Sequence, residues 1–195
     1  WNRIPESTPR ARDSIAFGWS PAGAKSDTTW NGVDFSPTST CERYLSSTMK
    51  PDPDDQSVLG GFPWRHESVV VHPLRASDLD RLVEYRNMES VWTLQDWEVP
   101  YPHERARQLL LVEPRTLRRR TWSQLGIYTD GVLVGDLGVM VPHIGGDAWI
   151  GYSLHPDSWG RGFATSAVRV TCRHLFDFGA VRIRASVDAR NTASA

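Results

Sequence analysis

The sequence predicts an α+β fold, a mixed and mostly antiparallel sheet flanked by helices. Three observations carry that expectation. Trp122 to Thr129 and Val132 to Val141 read as paired strands, joined by Asp130-Gly131 as a two-residue hairpin turn. Ala164, Ala167, Val168, Thr171, Leu175 and Phe178 recur at helical spacing, with Gly179 behind them as a left-handed C-cap. Val181, Ile183, Ala185 and Val187 then alternate with polar residues, which predicts a final strand over Val181–Asp188 reached by one crossover helix.

Residues 1–60 read as a poorly structured N-terminal segment or linker, and 61–195 as one domain. The first part is rich in Ser, Thr, Pro and Gly, and Pro51-Asp52-Pro53-Asp54-Asp55 is a turn-and-linker signal. Met49 stands just before the patterned part, so residues 1–48 read as a linker, a leader, or sequence outside the natural chain. Glu67 to Leu74, with Val69-Val70-Val71, predicts a strand. Ser77 with Asp80 three residues on resembles a capping box opening a helix that buries Leu79, Leu82 and Val83. Trp92 to Tyr101 is an aromatic connector, and Pro102 at a first helical position begins a second helix over Ala106, Leu109 and Leu110. After the hairpin, Gly145-Gly146-Asp147 makes a turn and Ala148 to His155 a third strand. The crossover helix runs from about Phe163 to Phe178.

Composition excludes several classes. A formal net charge of −1, with Arg118-Arg119-Arg120 as the one dense basic run, argues against a nucleic-acid binder. That run reads as a solvated loop or a phosphate contact. Cys41 and Cys172 make no disulfide framework, and Cys172 sits in an apolar helical pattern as a buried free thiol. The six histidines lack metal-site spacing, so no metal is expected. No stretch approaches the roughly 18 apolar residues of a membrane span, and no apolar leader opens the chain. A cytoplasmic enzyme is the expectation.

The segment Trp159-Gly160-Arg161-Gly162-Phe163-Ala164-Thr165 lies between a strand and a helix, where unpaired amides and the positive helix end point outward. Gly160 and Gly162 let a phosphate approach those amides, or simply satisfy a tight turn. The Walker pattern is absent, Thr165 stands where a dinucleotide fingerprint needs its third glycine, and the upstream hairpin contradicts a Rossmann sheet. Four blocks, Val134–Gly138, Ile150–Pro156, Trp159–Thr165 and Val187–Ser194, resemble the GNAT superfamily of N-acetyltransferases in order and spacing. They are most similar to the branch containing the ribosomal-protein alanine N-acetyltransferases. Gly162 and Ala164 match the last two positions of that family's cofactor motif, and Trp159 replaces its leading Gln or Arg.

The resemblance implies acetyl-CoA as cosubstrate and a primary amine, on a protein N-terminus or small molecule, as acceptor. By it, the amides of Gly160, Arg161, Gly162, Phe163 and Ala164 hold the pyrophosphate, and the pantetheine lies along Tyr152-Ser153-Leu154. Ser194 is implied as general acid beside the sulfur, or as a helix N-cap; Asn191 carries the same two readings. Asp136 is either a base or a solvent-facing carboxylate. Trp92, Trp97 and Tyr101 either line the acceptor cleft or only pack. The family continues with a further helix and two strands, so the resemblance also implies an open sheet edge prone to self-association. A coenzyme-A-binding but inactive module and a dinucleotide-binding protein are the competing expectations.

Overall fold

The computed structural model describes residues 58–110, 116–141 and 145–194. Residues 1–57, which make up nearly all of the expected linker and include Cys41 and Met49, lie outside the described residues. In chain order the elements are β1 (Val58–Leu59), β2 (Trp64–His66), β3 (Val69–Pro73), α1 (Leu79–Arg86), α2 (Glu89–Trp92) and α3 (His103–Leu109). Then follow β4 (Leu117–Arg118), β5 (Trp122–Thr129), β6 (Val132–Met140), β7 (Asp147–Leu154), α4 (Phe163–Asp177) and β8 (Arg182–Ala185).

Six strands form one sheet in the order β2-β3-β5-β6-β7-β8, and β1 pairs with β4 apart from it. Every neighbouring pair in the large sheet is antiparallel except β7 with β8, which α4 connects as a parallel crossover. The expected α+β class, with its mostly antiparallel sheet, is therefore the observed one. Asp130 (φ 49°) and Gly131 (φ 77°) both take the left-handed conformation that a tight hairpin turn requires.

The sheet divides the core in two. On one face Val71, Ile127, Leu137, Val139 and Ile150 pack with Ala167, Val170 and Leu175 of α4. On the other, Tyr128 and Leu133 pack with Leu82 and Tyr85 of α1 and with Ala106 and Leu109 of α3. β6 and β7 approach so closely that a side chain at Gly135 would collide with the Ser153 carbonyl and Leu154.

Four local features differ from the expectations. β2 escapes periodicity because it is three residues long; tertiary contact holds it, with Trp64 stacked on Phe62 and on His174 of α4, each at 4.5 Å. Val58–Leu59 likewise pairs with Leu117–Arg118, inside the stretch expected to be unstructured. α1 is not opened by Ser77. Asp78 takes that place, its carboxylate accepting the Arg75 amide at 2.7 Å and the Tyr128 hydroxyl. Finally, β8 covers only Arg182–Ala185 rather than Val181–Asp188, because its ladder with β7 ends at Ile150–Ala185 and leaves Val187 exposed.

His72 locks β3 to β5. Its ring stacks on Tyr128 at 3.9 Å. Nδ1 meets the Pro73 carbonyl at 2.7 Å, so that nitrogen carries the proton, and Nε2 accepts from Arg75 at 2.9 Å. Burial holds the ring below its ordinary pKa of 6.5, with the Arg75 charge pulling the same way. The unfolded chain therefore binds this proton more readily than the folded one, and stability is complete above the ordinary value and falls as pH drops below it. Urea denaturation at pH 5.5 should give a lower midpoint than at pH 7.5, and His72→Phe should narrow that difference. Equal sensitivity to acid in the variant would show that His72 is not a source of it.

Candidate active site

The glycine loop is shaped by hydrogen bonds that return it to β7. Ser158 and Trp159 amides donate to the carbonyls of His155 (2.9 Å) and Pro156 (3.0 Å). The indole N–H of Trp159 donates to the Leu154 carbonyl at 2.9 Å while the ring stays 47 % exposed. The polar atom of Trp159 is thus committed to the protein, and the residue braces the loop against the end of the strand. Gly160 (φ 70°) and Gly162 (φ 75°) are left-handed, and among the described residues a side chain at either would find no heavy atom within 4 Å. Gly162 is the N-cap of α4, whose first turn is closed by the Ser166 amide on the Gly162 carbonyl at 3.0 Å. The amides of Phe163, Ala164 and Thr165 precede that bond and face outward with the positive end of a fifteen-residue helix. Arg161 lies beside them, its guanidinium 4.7 Å from the Phe163 ring centre.

The second feature is a gap. β7 pairs with β6 as far as Leu154, but its ladder with β8 stops at Ile150. Gly151 to Leu154, which include the predicted Tyr152, Ser153 and Leu154, therefore have one edge without a strand partner among the described residues. That edge leads into the glycine loop.

The third is a buried polar cluster that the sequence reading missed. Asp136, expected as a base or a solvent-facing carboxylate, is 1 % exposed and accepts from Tyr85, Arg86 and Gln124. The solvent-facing reading is corrected, because α1 covers this face of β6. Burial works against the Arg86 charge, but Asp136 and the two tyrosines beside it outweigh that and hold its pKa above the ordinary value. The same burial, with the Asp136 charge, pushes the Tyr85 hydroxyl well above its usual range. Trp97 and Tyr101 pack into this cluster. Their rings lie 4.7 Å and 4.8 Å from the Arg86 guanidinium, and the Trp97 N–H donates to the Arg86 carbonyl at 3.1 Å. Trp92 ends α2, half-buried.

Asn191 and Ser194 sit in successive turns after β8. The Asn191 amide donates to the Asp188 carbonyl at 2.8 Å, and that of Ser194 to Asn191 at 3.1 Å. Asp188 grips the Arg190 guanidinium, which holds its carboxyl down to about 2, and Arg190 reaches the Thr93 carbonyl at 3.4 Å. Cys172 is buried, and its desolvated thiol is pushed up to about 11. Among the described residues no group of His, Cys, Asp and Glu is placed to hold a metal ion, and no helix is long and apolar enough to cross a membrane.

The family model described as "Acetyltransferase (GNAT) domain" matches residues 68–195. The chain is similar in fold to an acetyltransferase of the GNAT family from Bacillus anthracis, with a TM-score of 0.55 and 18 % identity over 67 % of this chain and 76 % of that one. It is also similar to the aminoglycoside acetyltransferase AAC(6')-Ib in complex with coenzyme A, with a TM-score of 0.52 and 17 % identity over 65 % and 79 % of the two chains. The same enzyme with ribostamycin and coenzyme A gives 0.52 and 18 % over 66 % and 78 %. Among curated protein sequences none matches at a significant level.

The Arg86–Asp136 pair makes a stability prediction. Removing one partner leaves the other charged and unpaired in the interior, which costs about 3–5 kcal/mol, whereas replacing both is far milder. Urea titrations should show Asp136→Asn strongly destabilised, and the double variant Arg86→Met/Asp136→Asn recovering part of the loss. Additive losses would mean that the two charges are not coupled.

Proposed function

The chain belongs to the GNAT acetyltransferase family, and on that premise we propose that it moves an acetyl group from acetyl-CoA to a primary amine. The observation that carries this reading is the gap between β7 and β8, opening beside a loop of outward-facing amides. A thioester on a long flexible arm needs a slot to run in and an anion site to anchor its far end, and these two features lie end to end. The fit extends to the glycines, since the open space at Gly160 and Gly162 is what an approaching pyrophosphate would fill. The fold-mate AAC(6')-Ib holds coenzyme A, which agrees with this assignment.

In this reading the amides of Gly160, Arg161, Gly162, Phe163 and Ala164 bind the pyrophosphate, helped by the end of α4. The unpaired edge of Tyr152-Ser153-Leu154 takes the pantetheine as a substitute strand. One backbone N–H there donates to the thioester oxygen as negative charge develops on it. The amine attacks as its free base. A C–N bond forms, the C–S bond breaks, the amine gives up a proton to water, and Ser194 protonates the departing sulfur and recovers its own proton from water. Asn191 orients the turn that carries Ser194. Asp136 has no place as the base, because protonating it would strand the buried Arg86 charge.

Thiol release from acetyl-CoA with a panel of amines tests the transfer. Gly162→Glu places a charged side chain against the pyrophosphate and should abolish acetyl-CoA binding while circular dichroism stays native. Ser194→Ala should lower kcat by about 100-fold with little change in KM, the usual scale of a lost proton donor. Tight acetyl-CoA binding without thiol release from any amine would reduce the protein to a coenzyme-A-binding module.

A further inference from the structure

Gly138 of β6 and Gly151 of β7 are direct cross-strand partners, and Gln124 of β5 is the next partner in the same row. One step along, the row is Gly126–Asp136–Ser153; one step the other way it is Trp122–Met140–Trp149. Residues two apart on a strand share a face, so all three rows lie on the face that α1 covers at Asp136. A side chain at Gly151 would meet no heavy atom within 4 Å. Gly151 is also the first β7 residue beyond the last β7–β8 pair. Among the described residues the sheet thus has an open floor at Gly151, at the mouth of the gap, with Gly138 beside it buried beneath Gln124 and the Trp122 ring.

Gln124 stands over this floor in a fixed orientation. The Gln124 amide nitrogen donates to the Asp136 carboxylate, which is paired with Arg86. The Gln124 Oε1 therefore turns away from Asp136 and lies 3.2 Å from where a Gly138 side chain would stand. The carboxylates on these three stretches of strand are Asp136 and Asp147. Asp136 is held by Arg86, and Asp147 by Arg182 at 3.0 Å and Arg184 at 2.6 Å. What the floor presents to an incoming amine is a neutral oxygen.

We propose that the acceptor amine is seated over Gly151, with one N–H donated to Gln124 Oε1 beside it. Asp136, Arg86 and Tyr85 are positioning residues that hold that oxygen in place. This deepens the acetyl-transfer reading and rests on it. It moves the acceptor seat from Trp92, Trp97 and Tyr101 to the face of the sheet itself. The chemistry has a direct consequence for substrate class. A carboxylate beside the amine would stabilise the ammonium form, which has no lone pair to attack with. A neutral amide oxygen binds the free amine without that penalty. The seat accordingly fits an acceptor with one amine on a slender, uncharged chain, and is poorly suited to a polycation, whose several charges need several carboxylates.

Steady-state kinetics with an alanyl tripeptide amide (one amine) and spermidine (three amines) test this. Gly151→Val fills the floor where nothing stands, so it should fold normally, raise the peptide KM about tenfold or more, and leave the acetyl-CoA KM within about twofold. Gln124→Glu puts a second carboxylate at the seat. It should lower kcat/KM for the peptide about tenfold relative to spermidine and move the pH profile of kcat/KM to higher pH. An unchanged peptide KM in Gly151→Val, or an unchanged selectivity and pH profile in folded Gln124→Glu, overturns the seat. If Gln124→Glu fails to fold, the Gly151→Val result decides alone. Wild-type protein that releases no thiol with any amine rejects the transfer reading itself, whereas active wild type with unmoved variants rejects only the seat.

Discussion

The buried pair between Arg86 and Asp136 is the interaction on which the arrangement of this molecule turns. Two opposite charges withdrawn from water are tolerated only if each finds the other and their remaining hydrogen-bonding capacity is met. Asp136 meets that condition with Tyr85, Arg86 and Gln124, and Arg86 with the carboxylate on one side and the rings of Trp97 and Tyr101 around it. Those partners come from α1, the connector before α3, β5 and β6. One ion pair thereby fixes where the helical layer sits on the sheet. It also fixes the rotation of the Gln124 amide.

The gap beside β7 follows from the connection rather than from any one side chain. α4 leaves the C-terminal end of β7, recrosses the sheet and enters β8 parallel to it. The positive end of the helix and the carboxyl end of the strand must then coincide. In open sheets that is where ligands bind, outside the strand ends at a change of connection. β8 pairs with only the first half of β7, so the second half has an edge to offer. The helix start with its outward-facing amides and the unpaired half of β7 are two consequences of one crossover.

Much of this was legible in the residues. The hairpin at Asp130-Gly131, the strands around it, the crossover helix and the glycine loop all depend on local rules: side-chain period, left-handed turns, helix ends. Each of these acts over a few residues, and each was placed to within a residue or two. The short strands β1, β2 and β4 were missed because two or three residues hold no period. They exist through partners elsewhere in the chain.

Asp136 shows where local reading stops. Asp136 was expected as either a base or a solvent-facing carboxylate, and the structure buries it on the face of β6 opposite Leu137. Period determines which residues share a face; it carries no information about what packs on that face. The covering residues are fifty positions away in α1. For the same reason the packing of Trp97 and Tyr101 on Arg86 was not legible, because no motif names Arg86 as their partner. The sequence by itself determined the long strands, the crossover and the glycine loop, which short-range sterics and hydrogen bonding specify. Only the tertiary structure decided which charges are buried together and where the sheet is left bare. Those outcomes depend on desolvation, and desolvation is a property of the assembled layers.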